Sequence, residues 1–257
     1  MRRYLVLMMV LIAAALFVSS HLGSAQETAS ITKKPYQSNG TEGTITGTIN
    51  LDGKAPRSLT IDVSADEACV GELKTEWMVV KAGKIANAMV YIRSGGRLDE
   101  YSFPQPDSPA ELSHKGCRYE PHVQGIRVGQ PLTITNSDPT FHNTHPTPKD
   151  NAEWNQSQLP GAAALSVTFS HPEMLIPFKD NQHPWEKAYV GVFSHSFFAV
   201  SDERGQYIIR GLPPGLYTLV VRHEAFPEKI MELTISPYET RVVDFTFSAA
   251  DNRYKDR

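Results

Sequence analysis

The sequence lacks most of the features that define enzymes and membrane proteins. Among 257 residues there are only two cysteines, and no apolar run after residue 18 is long enough to span a bilayer. The chain has no Gly-x-Ser-x-Gly turn, no phosphate-binding loop and no His-Glu-x-x-His metalloprotease motif. Asp180 and Glu186 could serve as a general acid and base, but any two nearby carboxylates give that signal. We therefore expect a protein that is not an enzyme.

The chain also lacks an excess of basic residues. It has 25 lysines and arginines against 28 acidic residues, and a net charge of −3. Loss of residues 1–25 would remove two arginines and no acidic residue, which changes the net charge from −3 to −5. This balance favours solubility and gives no support to nucleic-acid binding.

The first 25 residues have the pattern of an export signal. Arg2 and Arg3 precede an apolar run over residues 5–18, and small residues at 23–25 suit a signal peptidase. We expect cleavage after Ala25, a periplasmic or secreted protein, and no membrane span after cleavage. An uncleaved N-terminal anchor is the alternative. Residues 26–42 are polar and predict a flexible leader.

The two cysteines, Cys69 and Cys117, both lie in the part of the chain that would be exported. An even pair in an oxidising compartment predicts a disulfide. It would close a loop of about 49 residues and stabilise the fold by roughly 4 kcal/mol on the chain-entropy model. Free thiols or metal ligation remain the alternatives, with His122 in CRYEPH as a nearby nitrogen ligand.

From residue 43 onward the chain consists of short runs rich in Val, Ile, Thr and aromatic residues, separated by turn residues. Their number and spacing predict an all-β sandwich or barrel. Residues 93–116 are polar, contain several prolines and predict a long surface loop, and residues 149–160 are the best candidate for a short helix. The predicted strands lie within 43–53, 77–80, 86–92, 125–138, 165–169, 188–194, 197–202, 206–224, 229–236 and 240–248.

The C-terminal part contains the stretch SDERGQYIIRGLPPGLYTLVVRHEAF. It resembles the carboxypeptidase regulatory-like domain, a transthyretin-like β-sandwich with a D-x-x-G-x-[FY] hairpin and a G-L-P-P-G-x-Y turn. The opening strands of that family resemble GTITGTINLDGKAP and ANAMVYIRS near the N-terminus. The matching residues are Asp202, Gly205, Tyr207, Gly211, Leu212, Pro213, Pro214, Gly215 and Tyr217.

Two central stretches, VGQPLTITNSDPTFHNTHP and IPFKDNQHPWEKAYVGV, carry a second resemblance. The first is similar to the cupredoxin strand that ends in N-x-D and is followed by His-Asn. The second is similar to the later cupredoxin loop, C-x-x-H-P-W-M. Exported bacterial proteins that combine these patterns, described as plastocyanin-like or methylamine-utilisation-like, resemble this chain over about residues 43–248.

The two resemblances together imply an all-β fold. A cupredoxin-like Greek-key β-sandwich would be packed with, or inserted into, a transthyretin-like β-sandwich. The implied segments are N-terminal strands in 43–92 that pair with the C-terminal sandwich, a cupredoxin-like region in 117–194, a carboxypeptidase regulatory-like region in 195–248 and a polar tail in 249–257.

The cupredoxin resemblance also implies a set of metal ligands. His142 takes the place of the histidine in His-Asn, and His183 that of the histidine in the later loop. Asp180 takes the place of the cysteine, and Glu186 that of the methionine. Because a blue copper centre depends on a copper–thiolate bond, this set excludes one.

Two interpretations of this loop remain open. These four side chains could hold Cu²⁺, Zn²⁺ or Fe²⁺, with His145 as a spare imidazole three residues from His142. In the alternative the site has decayed, so that Asp180 lies in a solvated turn, Glu186 faces water and Trp185 only packs the loop. No cofactor is therefore certain, and Cu²⁺ or Zn²⁺ is the best candidate.

We predict a non-catalytic exported binding or interaction module with an altered metal site, whose partner is an unknown exported protein or glycan. One alternative is a Cu²⁺ or Zn²⁺ carrier that uses His142 and His183. Of the other histidines, we expect His114 and His171 to be exposed in loops. The second alternative is a carbohydrate-binding module, whose groove would be lined by Trp154, Trp185, Tyr189, Phe193, Phe197 and Phe198.

Overall fold

β-Strands account for nearly all regular structure in the computed structural model, which describes residues 32–254. The predicted signal peptide therefore lies outside the described residues. Two single-turn 3₁₀ helices span Leu98–Glu100 and Ala249–Asp251. The strands are β1 Lys34–Pro35, β2 Gly43–Asp52, β3 Val80–Lys81, β4 Lys84–Ile85, β5 Met89–Gly95, β6 Tyr101–Ser102, β7 Ala110–His114, β8 Tyr119–Glu120, β9 Val123–Arg127, β10 Leu132–Asn136, β11 His142–Pro146, β12 Gln156–Gln158, β13 Leu165–Val167, β14 Glu173–Lys179, β15 Lys187–Phe193, β16 Phe198–Val200, β17 Gln206–Leu212, β18 Gly215–His223, β19 Phe226–Ile235, β20 Thr240–Val242 and β21 Phe245–Ser248.

Strands from the two ends of the described chain build one sandwich. In one sheet β2 pairs with β17 and β4 antiparallel and with β20 and β21 in parallel. The other sheet has the order β16-β5-β18-β19. Side chains from both sheets, such as Ile45 on β2 and Leu219 on β18, are buried in one hydrophobic core. Burial of such apolar faces against each other is what stabilises this pair of sheets.

The strands between residues 110 and 193 build a second sandwich. Its sheets have the orders β13-β10-β7-β8 and β12-β11-β14-β15-β9. On β10, Leu132 and Ile134 are fully buried while Thr133 and Thr135, which alternate with them, are half-buried, as expected for a strand with one face in the core. Those residues pack against Phe178 and Val190 of the opposite sheet in a separate core.

A third apolar cluster joins the two sandwiches. Strand β5 begins with four consecutive buried residues, Met89 to Ile92, because both of its faces are covered there. Its outer residues, Met89 and Tyr91, pack with Val123 and Phe193 of the second sandwich. This contact fixes the second sandwich against the first through side chains that the sequence pattern marks as apolar.

The predicted all-β fold and the predicted disulfide are both confirmed. The predicted loop over 93–116 is wrong, because it contains a 3₁₀ turn and two strands. Of these, β7 pairs in parallel with β10, a long-range contact that local composition does not reveal. The predicted helix in 149–160 is also wrong, since Gln156–Gln158 forms β12 against β11. No helix in the described part of the chain has the length and apolar character needed to cross a membrane.

Candidate metal centre

The loop between β14 and β15 places two carboxylates side by side. The last pair of the hairpin is Lys179 with Lys187, so Asp180 and Glu186 are the next residues inward on the two arms. Successive residues of a strand point to opposite faces, and these two point away from the lysines toward the interior. Each is only 2% exposed. The expectation of a solvated turn and a water-facing Glu186, which belonged to the decayed-site interpretation, is therefore wrong.

The loop itself is folded around Asp180. Its Oδ1 accepts hydrogen bonds from the backbone N–H groups of Gln182, at 2.7 Å, and His183, at 3.1 Å. An Asp side chain that bonds to N–H groups two and three residues further on is a common turn-forming device. The turn leaves the other carboxylate oxygen, Oδ2, free to face the interior of the site.

His142 begins β11 and is fully buried against both carboxylates. Its Nδ1 lies 2.8 Å from Oδ2 of Asp180 and 3.0 Å from Oε2 of Glu186. His145, three residues later on the same strand, faces the opposite side of the sheet, where its Nε2 lies 2.8 Å from Oε1 of Glu153. Because the side-chain period of a strand is two, the structure leaves His145 outside the cluster.

His114 is the residue that the sequence analysis missed. The prediction that it is exposed in a loop is wrong, since it ends β7 and is fully buried. Its Nδ1 lies 3.1 Å from Oε2 of Glu186, and its ring stacks on His142 at 4.4 Å. The available signal was the alternation in AELSH, which puts Leu112 and His114 on the buried face.

His183 completes the set from the loop. Its Nδ1 lies 3.2 Å from Oδ2 of Asp180, and its ring centroid is 4.5 Å from that of His142. Trp185 packs edge-on against His183, and its indole N–H donates a 3.2 Å hydrogen bond to the carbonyl of Cys117. Trp185 thus holds the loop against the neighbouring turn.

Each of the three imidazoles uses its outer nitrogen, Nε2, for a hydrogen bond away from the centre. Two of the acceptors are carboxylates. Outer-shell carboxylates in this position hold the proton on Nε2 of metal-bound histidines, so that Nδ1 can bind the metal. The three contacts are His114 with Oγ1 of Thr144 at 2.9 Å, His142 with Oδ2 of Asp138 at 3.0 Å and His183 with Oδ2 of Asp66 at 3.0 Å.

The inner donors have the spacing of ligands around one ion. The donor atoms of His114, His142, Asp180 and Glu186 all lie within 4.8 Å of one another. The separations given above run from 2.8 Å to the 4.0 Å between Nδ1 of His114 and Oδ2 of Asp180. Two metal–ligand bonds of about 2.1 Å permit a donor separation of at most about 4.2 Å. His183 is not one of these four residues and contacts them through Oδ2 of Asp180, at 3.2 Å.

One atom of the cluster has no partner. Oε1 of Glu186 is buried, and no described residue supplies it with a hydrogen bond. Leaving a buried acceptor unpaired costs free energy, and such atoms are rare in folded proteins. A cation in the centre would compensate for this atom, so the residues present fit a bound metal ion.

The electrostatics couple His142 to both carboxylates. Burial alone would lower the pKa of His142, but its hydrogen bonds to Asp180 and Glu186 raise it to about 10. Burial would raise the pKa of Asp180, yet hydrogen bonding with His142 and Glu186 holds it well below its usual range. A bound dication would interact with the same ring and carboxylates in place of these hydrogen bonds, with release of protons.

Comparison with known proteins gives a limited result. No family model matches the chain, and no curated protein sequence matches it. A copper-containing nitrite reductase (NirK) from Thermus scotoductus aligns with a TM-score of 0.31 at 19% identity, over 33% of this chain and 22% of the reductase.

Two smaller copper proteins align over almost their whole length. A purple cupredoxin from Nitrosopumilus maritimus has a TM-score of 0.29 at 21% identity, and the match covers 33% of this chain and 99% of that one. An amicyanin mutant in the Cu(I) state has a TM-score of 0.30 at 20% identity, over 40% and 98%. Likenesses of this size do not define the function of this chain.

The aromatic residues considered for carbohydrate binding are mostly occupied in packing. Phe193 and Phe197 are buried, and Phe193 stacks on Phe198 at 4.3 Å. Trp154 and Tyr189 are half-buried against hydrophobic clusters. Carbohydrate binding remains a prediction made from the sequence.

Proposed function

We propose that this chain is a cupredoxin-like metal-binding protein that holds one divalent transition-metal ion without a thiolate ligand. The ligands come from three imidazoles and two carboxylates, on His114, His142, His183, Asp180 and Glu186. The observation that carries the proposal is the convergence of the donor atoms of His114, His142, Asp180 and Glu186, which lie within 4.8 Å of one another, together with the buried, unpaired Oε1 of Glu186. The N-x-D and His-Asn stretch and the loop between β14 and β15 supply four of the five residues, in the positions that the cupredoxin resemblance implies.

We propose Cu²⁺ or Zn²⁺ as the bound ion. Imidazole nitrogen suits both ions, and carboxylate oxygen completes a charge-balanced site. No sulfur atom is available as a thiolate, because both cysteines are joined in the disulfide. The site therefore lacks the ligand on which blue copper electron transfer depends.

The centre is suited to binding and not to catalysis. A catalytic metal keeps an open coordination position, whereas a structural Zn²⁺ ion takes four ligands from the protein. Five candidate donors surround this position, and none of their side chains is more than 3% exposed. We infer a non-catalytic metal-holding protein that acts outside the cytoplasm, where its disulfide is stable, with an exported protein as its partner.

Metal content measured on matched histidine variants tests this function. We expect the purified chain to retain one Cu²⁺ or Zn²⁺ per molecule after loading and desalting, by elemental analysis. His142→Ala and His114→Ala should lose most of it. His171→Ala is the matched control, because His171 is exposed and outside the centre. Absence of metal in the wild type would refute the proposal, and undiminished loading of both variants would place the metal elsewhere.

A further inference from the structure

A segment with little regular structure lies over His183. The chain between β2 and β3 contains a single isolated bridge, Thr60 with Lys74, and we call residues 60–74 the cover segment. Oδ2 of its Asp66 lies 3.0 Å from Nε2 of His183 and accepts a 2.6 Å hydrogen bond from Oγ1 of Thr140. The cover segment therefore touches the metal centre through one carboxylate.

The cover segment is held to the second sandwich by its disulfide, by the contacts of Asp66 and by a 2.6 Å hydrogen bond from Arg118 to the carbonyl of Lys74. Cys69 is bonded to Cys117, and the pair packs with Leu73 in a small apolar cluster that also contains Trp185. The backbone N–H of Cys117 donates a 2.8 Å hydrogen bond to Oδ2 of Asp138, the carboxylate that also holds His142. A single residue, Asp138, therefore connects the disulfide to the proposed metal ligand His142.

The remaining sides of the centre are closed by strands. Of the five proposed ligands, only His183 has any side-chain exposure, at 3%, against 0% for His114, His142, Asp180 and Glu186. A cavity of about 120 Å³ lies at His183, between the cover segment and the loop that joins β14 to β15. It is lined by Ala65, Asp66, Thr140, Phe141, Gln182, His183 and Trp185.

We propose that Asp66 positions His183 as a metal ligand and that the cover segment closes the side of the centre through which the metal enters and leaves. This proposal rests on the proposed metal-binding function. The carboxylate of Asp66 fixes the ring of His183 and its tautomer, so that Nδ1 faces the metal. A segment held by few contacts opens locally far more readily than strands in a core. The disulfide limits that opening by tethering the middle of the segment.

Metal release measures the opening of the cover segment. The Zn²⁺-loaded protein is mixed with excess chromophoric chelator, and the release rate is followed. Asp66→Asn should release Zn²⁺ at least tenfold faster than the wild type. Asp62→Asn should not change the rate, because Asp62 lies in the same segment and its hydrogen bonds are to Ser64, within that segment. Equal rates for Asp66→Asn and wild type would overturn the proposal.

A variant without the disulfide tests the tether. The double variant Cys69→Ser, Cys117→Ser should also release Zn²⁺ at least tenfold faster than the wild type. Because this variant loses a covalent bond and can fail to fold, Asp66→Asn, which retains the disulfide, is the deciding variant.

A measurement without metal separates this proposal from the metal-binding function. His183 is modified with diethyl pyrocarbonate in metal-free protein, and its rate is compared by mass spectrometry with that of exposed His171. Modification of His183 should be slow in the wild type and in Asp62→Asn, and faster in Asp66→Asn. Failure to load Zn²⁺ would refute the metal-binding function. If His183 is modified at the same rate in Asp66→Asn and in the wild type, the proposed role of Asp66 and the cover segment is refuted.

Discussion

The substitution Glu186→Gln separates a metal ligand from a structural carboxylate. Oε2 of Glu186 lies 3.1 Å from Nδ1 of His114 and 3.0 Å from Nδ1 of His142, while Oε1 has no partner among the described residues. Glutamine retains one oxygen that can accept from His142, and its amide nitrogen takes the place of the second carboxylate oxygen. His142 keeps Asp180 as its ionic partner at 2.8 Å.

The expected effect depends on the metal. The amide replaces the unpaired acceptor Oε1 by an unpaired N–H donor, and a buried group of either kind costs about 1–3 kcal/mol, so metal-free Glu186→Gln should be within about 1 kcal/mol of the wild type. Loss of one ligand should weaken metal binding at least tenfold. At saturating metal that removes at least about 1.4 kcal/mol of the stabilisation that the ion provides.

Glu224→Gln is the matched control. Glu224 is also buried, with a side chain 7% exposed, but its Oε1 is paired with Nε2 of His122. Because a hydrogen bond between charged groups contributes about 1.5–3 kcal/mol, Glu224→Gln should destabilise the protein by a similar amount, independently of metal.

Urea unfolding at pH 7, with chelator and with saturating Zn²⁺, measures both quantities by linear extrapolation. If metal-free Glu186→Gln is less stable than the wild type by more than about 1 kcal/mol, Glu186 is a structural residue. If Zn²⁺ stabilises the variant as much as the wild type, Glu186 is not a ligand. Either result would refute the assignment.

Three further predictions concern acid stability, the copper spectrum and the disulfide. Burial lowers the pKa of His195 and His223 to about 4, so the unfolded chain binds their protons near pH 6.5 and the folded chain does not. The free energy of unfolding should therefore fall as the pH drops from 6.5 toward 4, and at pH 5 each of the two histidines should account for a loss of about 2 kcal/mol. In urea unfolding, His223→Gln should make this loss smaller by about 2 kcal/mol. The Cu²⁺-loaded protein should absorb only weakly in the visible range, and an intense blue band would contradict the ligand set. Cys69→Ala with Cys117→Ala should cost about 4 kcal/mol and lower Tm by roughly 8–16 °C in calorimetry, and an unchanged Tm would contradict the role of the disulfide.

The part of the centre that could be predicted from the sequence is the part that is local in the chain. Asp180, His183 and Glu186 belong to one hairpin loop, so a single motif contains them. His142 follows from the cupredoxin resemblance of the stretch that contains the His-Asn pair. His145 lies three residues after His142. That spacing brings side chains together on a helix, but it places them on opposite faces of a strand.

The rest depends on contacts between distant segments. His114 reaches the centre because β7 pairs with β10, and the prolines before Ala110 favoured a loop there. Asp66 reaches His183 from 117 residues away in the chain, carried by a segment that has almost no regular structure of its own. Patterns within a short window do not specify such pairings, because they depend on which strands and loops meet in the folded chain.

Anomalous diffraction from crystals of the Zn²⁺-loaded protein tests the central claim most directly. We expect one buried peak, about 2.0–2.1 Å from Nδ1 of His114, His142 and His183 and about 2.0–2.2 Å from an oxygen of Asp180 or Glu186. A structure with no peak in this centre, or with zinc only at the surface beside His145 and Glu153, would contradict it.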